Sequence, residues 1–215
     1  METPKNPLSI DYRIREGLGR IATAMRVDDW NRAKLIGVNP TQLSILTFLE
    51  SRGEDGVSVK EISNQLGVTQ PSATESISTM ERKGLLRKQP GQTDRRGVTV
   101  VITDAGADAL LAADKLPTMT ERSIAGLEKD VQVELLVALV RMIRQLQQAD
   151  SFPVQRMCVT CRFFEPFAHA DGSSPHHCHF VNASFGQHDL RIDCREHEQA
   201  DPAYQAATWK AFTQG

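Results

Sequence analysis

No cysteine stands before residue 158 of this 215-residue chain, and no histidine before residue 169. Four cysteines and six histidines are confined to the last third, so the composition itself changes near residue 150. The chain has no Gly-rich phosphate loop and no Gly-x-Ser-x-Gly, which removes phosphate-loop and serine-hydrolase readings. Its apolar runs fall short of the ~18 residues that span a bilayer. The start, Met1-Glu2-Thr3-Pro4-Lys5-Asn6-Pro7, lacks the apolar core of a signal peptide. A cytoplasmic location with no membrane partner is therefore expected. The cysteines then read as thiols or metal ligands, because disulfides are rare in that compartment. Positive charge is not in surplus either. The net charge is −2, so any contact with nucleic acid must rest on a local patch.

Apolar residues make up 40% of the chain and charged residues 24%, enough to fill a core. At ~100–200 residues per domain, one full domain is expected over 1–150 and an appendage over 151–215, hinged at Phe152-Pro153. The first part reads mostly as helix. Ile14, Leu18, Ile21 and Met25 share one helical face. Asn39-Pro40-Thr41-Gln42 starts a helix carrying Leu43, Leu46 and Leu49. Ser58-Val59-Lys60-Glu61 is a second capping box, for a helix with Ile62 and Leu66 that stops at Gly67. Thr69 caps a third helix with Ala73, Ile77 and Met80 as its buried stripe. Two β-rich runs, Leu85-Leu86-Arg87-Lys88 and Val98-Thr99-Val100-Val101-Ile102, flank a polar tip over residues 90–97. Thr103 caps a further helix that ends near Pro117. Leu135, Leu139, Met142, Ile143 and Leu146 line a long last helix.

Two short helices joined by a tight turn and followed by a hairpin can read DNA. The second helix of such a pair lies in a major groove. Here its other face is short and polar: Gln70, Ser72, Thr74, Glu75, Ser78 and Thr79, after the cap Thr69. Glutamine pairs with adenine, and hydroxyls take phosphates or bases. Glu75 can accept from a cytosine amine or hold an arginine in place. Between residues 81 and 96, Arg82, Lys83, Arg87, Lys88, Arg95 and Arg96 meet only Glu81 and Asp94, a +4 stretch in a −2 chain. Phosphate neutralisation needs such a patch. A polar helix face or a basic hairpin alone is ordinary solvated surface. Their order, with Arg95 and Arg96 at the tip, is that of a winged helix.

Residues ~10–148 resemble the MarR family of bacterial regulators. The resemblance is carried by Thr41-Gln42-Leu43-Ser44-Ile45-Leu46, by Val59-Lys60-Glu61-Ile62-Ser63-Asn64-Gln65-Leu66-Gly67-Val68, and by Met80-Glu81-Arg82-Lys83-Gly84-Leu85-Leu86-Arg87. Asp94-Arg95-Arg96 matches that family's Asp-x-Arg wing signature, and Val101-Ile102-Thr103-Asp104-Ala105-Gly106 follows it. The resemblance implies a homodimer built from the first and last helices. It implies recognition helices in successive major grooves of a pseudo-palindromic double-stranded operator, wing arginines in minor grooves, and control by a small ligand or a redox change. The expected fold class is mainly α with a small β-hairpin wing: a winged helix-turn-helix with a helical dimerisation region and a loop-rich C-terminal metal module. The expected function is a DNA-binding regulator, a repressor modulated by a small ligand, metal or redox change, and not an enzyme; the alternative is a metal- or iron–sulfur-dependent redox-sensing regulator.

The tail after residue 150 departs from that family. Cys158-x-x-Cys161, Cys178 and Cys194 are separated by sixteen and fifteen residues after the pair. Four thiolates suit a structural zinc ion, serve an iron–sulfur cluster as well, or act as a metal-free thiol switch. His176 or His177 can replace one sulfur. With Pro166, Gly172, Pro175 and Gly186, the tail is expected to bury little by itself and to depend on metal for folding. The enzyme alternative is a metal hydrolase built on the same residues with an open coordination position.

Overall fold

The computed structural model describes residues 9–91, 97–115, 117–149, 151 and 153–214. The chain packs as two compact units, up to Gly126 and from Leu127 onward.

In the first unit α1 spans Ile10–Leu35, α2 Pro40–Glu50, α3 Val59–Leu66 and α4 Gln70–Arg82. The start of α2 is fixed by side chains. Asn39 Oδ1 accepts from the Gln42 N–H at 2.9 Å, and Gln42 Oε1 accepts in return from the Asn39 N–H at 3.2 Å. Ser58 caps α3 by accepting from the Glu61 N–H at 3.1 Å. Strand β1 (Val57–Ser58) pairs antiparallel with β3 (Val98–Ile102), which pairs in turn with β2 (Leu86–Pro90). This gives a three-stranded sheet in the order β1-β3-β2, one strand more than the hairpin expected from sequence. The core joins both layers: Leu46 and Leu49 of α2, Ile62, Ile77 and Met80, and Leu86 and Val100 of the sheet.

Thr103 caps α5 (Asp104–Ala113), which stops before the Pro117 expected to end it. A further helix, α6 (Met119–Ala125), follows. Its start is held by a buried carboxylate on α1. Asp28 accepts from the Thr120 N–H at 2.9 Å, the Met119 N–H at 3.3 Å, and the Thr120 hydroxyl. First-turn N–H groups lack partners within their own helix, and an anion suits them. The Thr120 hydroxyl, and then its N–H, hold the Asp28 carboxyl below the usual carboxylate range. A depressed folded-state pKa contributes stability above the unfolded value of ~4, and the contribution disappears as pH falls through the folded value. Asp28→Asn should therefore lower stability at neutral pH and flatten the acid limb of the unfolding profile. Denaturant titrations between neutral and acid pH read this. An acid limb of unchanged slope in the variant would show that the carboxylate is not what holds α6.

The α1 face expected to line a helix–helix contact is half exposed within this unit: Ile14 is 49%, Ile21 52% and Met25 51% accessible.

In the second unit α7 spans Lys129–Gln148, β4 Phe164–Glu165, β5 His176–Cys178, β6 Ala183–Phe185 and α8 Pro202–Gln214. The three strands form an antiparallel sheet in the order β4-β5-β6. The boundary expected at residue 150 falls inside this unit, because α7 shares the tail's core. Val140 packs with Met157, Val159, Phe164, Leu190 and Phe212, and Leu136, Val137 and Ile143 lie against them. Leu135, Met142 and Leu146, expected as the lining of α7, stay exposed on that helix. The tail is loop-rich as expected up to α8, but it is not the core-poor segment expected. Its buried side chains come from separate short segments and have no helical or strand period, so sequence periodicity cannot register them. Among the described residues, no helix is long and apolar enough to cross a membrane.

Candidate nucleic-acid interface and cysteine cavity

The turn between α3 and α4 depends on Gly67, which adopts the left-handed conformation at φ 63° and ψ 29°. Any side chain would be strained there. The Gly67 N–H reaches the Asn64 carbonyl at 3.2 Å and the Val68 N–H reaches the Ser63 carbonyl at 3.1 Å, closing α3. Thr69 then starts α4, accepting from the Ser72 N–H at 3.3 Å. Ala73, Ile77 and Met80 are fully buried, so the opposite side of α4 must face outward.

Glu75, Ser78 and Arg82 fall on that outward side at steps of three and four. Thr69, Gln70, Ser72, Thr74, Glu75 and Arg82 are exposed, and Ser78 is half-buried. Some hydroxyls are already engaged: Thr69 and Ser72 share a hydrogen bond at 2.8 Å, and Thr74 donates to the Gln70 carbonyl at 2.8 Å. These three shape the helix start, and Gln70 is exposed beside them. Arg82 donates to the Thr79 hydroxyl at 3.2 Å.

The local positive patch is partly neutralised. Lys88 pairs with Glu81 at 2.7 Å, and Lys83 donates to the Gly37 carbonyl at 2.7 Å. Lys88 holds the Glu81 carboxyl below its ordinary range. The Gly91 N–H donates to the Gly97 carbonyl at 2.8 Å where the two strands meet their connection. Arg95 and Arg96, expected at the wing tip, lie outside the described residues.

The four cysteines converge. All are free thiols, and all line one cavity of about 260 Å³ walled by Phe163, Phe164 and Phe180. Cys158 and Cys161 occupy the two ends of a single 3-10 turn, closed by the Cys161 N–H on the Cys158 carbonyl at 2.9 Å. Cys178 sits on β5 opposite Phe164. Cys194 is placed by its N–H on the Arg156 carbonyl at 3.0 Å, next to an Arg156–Asp193 ion pair at 2.6 Å. Burial pushes the Cys158 thiol up to about 11, and the neighbouring thiols act in the same direction.

Sequence reasoning missed Arg191. Its backbone N–H donates to Cys158 Sγ at 3.3 Å and its guanidinium to Cys194 Sγ at 3.5 Å. The available signal was its place three residues before Cys194. Neither His176 nor His177 lines the cavity. His176 is fully buried among Phe164, Phe167, Phe185 and Phe212, and burial lowers its imidazole to about 4. His177 pairs with His169 at 3.0 Å.

Comparison with known proteins agrees with the reading head. Residues 36–97 match the model of the MarR family. Over 107 residues the chain is 31% identical to the HTH-type transcriptional regulator YkoM of Bacillus subtilis (strain 168), covering 48% of this chain and 66% of that protein. It is 25% identical over 127 residues to the transcriptional repressor MprA of Escherichia coli (strain K12), covering 55% of this chain and 71% of that one. The crystal structure of the transcriptional regulator BldR from Sulfolobus solfataricus superposes with a TM-score of 0.54 at 26% identity, over 66% of this chain and 99% of BldR. The MepR–DNA complex of S. aureus shares the fold, with a TM-score of 0.52 at 20% identity over 66% of this chain and 100% of that one. Through its winged helix-turn-helix this chain is similar to the MarR family over residues 36–97, and the relatives it matches are transcriptional regulators rather than enzymes.

Proposed function

We propose that the protein is a transcriptional repressor that reads a pseudo-palindromic double-stranded operator as a homodimer. The observation that carries this is the outward polar face of α4, held by the Gly67 turn beside the hairpin. Gln70 stands in the first turn of α4, the end of a recognition helix that meets base edges. The apolar stripe of α1 and the exposed Leu135, Met142 and Leu146 of α7 support a second copy as the occupant of those faces. Isolated exposed apolar residues are ordinary, but a periodic stripe along a helix is a pairing surface. Two heads related by a two-fold axis read half-sites with centres about one helical turn, ~10 bp, apart. A small-molecule effector modulating operator occupancy follows from the family resemblance.

Two variants separate base reading from phosphate binding. Gln70→Ala should relax preference at one operator position at a cost of ~1–3 kcal/mol. Arg96→Ala should weaken binding by ~1–3 kcal/mol across sequences and reduce the salt slope by about one. Operator titrations at two salt concentrations, with folding checked, read both effects. Unchanged affinity and unchanged salt slope in both variants would count against this reading head. A monomer in light scattering with a footprint over a single half-site would count against the dimer.

A further inference from the structure

We propose that Cys158, Cys161, Cys178 and Cys194 together bind an iron–sulfur cluster in the cavity they line. The inference concerns the second unit and does not depend on how α4 meets DNA.

The ligand count comes first. Three separated segments, the 3-10 turn, strand β5 and the stretch before Cys194, bring four thiols to one space, and four thiolates are the ligand set of such a cluster.

The space beside the thiols has room for a cluster. Tetrahedral Zn–S bonds of ~2.3 Å place the sulfurs roughly 4 Å apart and leave no room between them. Here the four thiols border about 260 Å³. A cluster interposes its own irons and sulfides, so its thiolates stand further apart around a larger space.

The surroundings suit it as well. Phe163, Phe164 and Phe180 give the cavity apolar walls, and an apolar shell limits solvent access to a metal site. The two Arg191 donors reach sulfurs of two different cysteines, and hydrogen bonds to the sulfurs are one of the means by which a protein tunes a cluster. The Arg191 guanidinium also brings positive charge to the site, shared with Glu196 at 3.7 Å.

The test uses the full chain, purified without oxygen and also reconstituted with ferrous iron and sulfide. Iron, acid-labile sulfide and zinc are measured together with the visible spectrum. The expected result is a brown protein with iron and sulfide in about equal amounts, and visible absorption that bleaches on reduction. Cys178→Ser should lower iron per chain by roughly tenfold or more, the scale on which losing even a supporting group weakens a metal site. His177→Ala, which removes no cavity residue, should keep full iron and controls for the folding of β5. A colourless protein carrying stoichiometric zinc that resists reconstitution would overturn the proposal. So would full iron and sulfide in Cys178→Ser.

Discussion

Gly106→Ala should destabilise the first unit by at least ~3 kcal/mol, the upper end of the overpacking range. Gly106 lies in the first turn of α5, where its N–H donates to the Thr103 hydroxyl at 3.1 Å. Thr103 in turn donates to the Gly84 carbonyl at 2.6 Å, and its N–H reaches the Leu85 carbonyl at 3.2 Å. These bonds draw α5 down onto the backbone that leads into β2. A Cβ on Gly106 would stand 2.0 Å from the Leu85 carbonyl oxygen and 2.8 Å from Ile102 Cγ1. A backbone carbonyl cannot rotate aside as a side-chain tip can, so either α5 lifts or β2 shifts. The control is Gly17→Ala in α1, where a Cβ meets nothing within 4 Å. It should stabilise by ~0.5–1 kcal/mol, the helix preference of Ala over Gly. Urea titrations of both variants decide the matter. An unfolding midpoint for Gly106→Ala equal to that of the unmodified chain would refute the close contact. The same variant should lose operator binding in proportion to its loss of folded protein, since Leu86 is part of the core on which α4 rests.

The reading head was legible because each of its signals is local. Asn39 with Pro40 and Gln42, Ser58 with Glu61, Gly67, and Thr69 are short-range punctuation, and the chain folds as they indicate. The apolar steps of α4 named its buried stripe correctly, because one helix face against one core gives a clean period. Strand β1 escaped notice because two residues, Val57 and Ser58, are too few to show alternation. Two helices were missed even though they carry the same punctuation. Thr118 and Glu121 form a full capping box for α6. Asp201 accepts from the Ala203 and Tyr204 N–H groups at 2.9 Å just before Pro202. Asp-Pro there is the same signal as Asn39-Pro40, read in one place and passed over in the other.

The cysteine site was legible as a ligand set and illegible as a space. Spacing along the chain joins Cys158 to Cys161 through one turn, but it cannot bring Cys178 or Cys194 near them. That requires the β4–β5 pairing, which sets Cys178 opposite Phe164, and the Arg156–Asp193 ion pair beside Cys194. The tail's prolines and glycines suggested a segment without a core. Phe and Met residues scattered through it looked equally unpatterned, yet those are the residues that fill the core.

That core supports a second large effect: Phe212→Ala should cost the second unit ~3–5 kcal/mol. Phe212 on α8 is 2% exposed, with its ring 6.2 Å from that of Phe164, 6.0 Å from His176 and 5.9 Å from Trp209. Truncation removes those ring contacts and leaves a void beneath α8, which packs on the 3-10 turn of Cys158–Thr160. That turn carries Cys158 and leads directly into Cys161, so loosening α8 loosens the cysteine cavity as well. Trp209 packs against the same core and reports on it directly. In a urea titration followed by tryptophan fluorescence on a Trp30→Phe background, which leaves Trp209 as the one reporter, the Trp209 transition should move to lower urea, with far-UV circular dichroism keeping a separate transition for the first unit. Core residues of that unit, such as Ile62 and Met80, belong to a different cluster and have no part in the lost contacts. Sites without shared partners behave additively. If the second unit depended on its cysteines alone for folding, Phe212→Ala would leave the Trp209 transition where it was, and that outcome would return the tail to a metal-dependent segment without a core of its own.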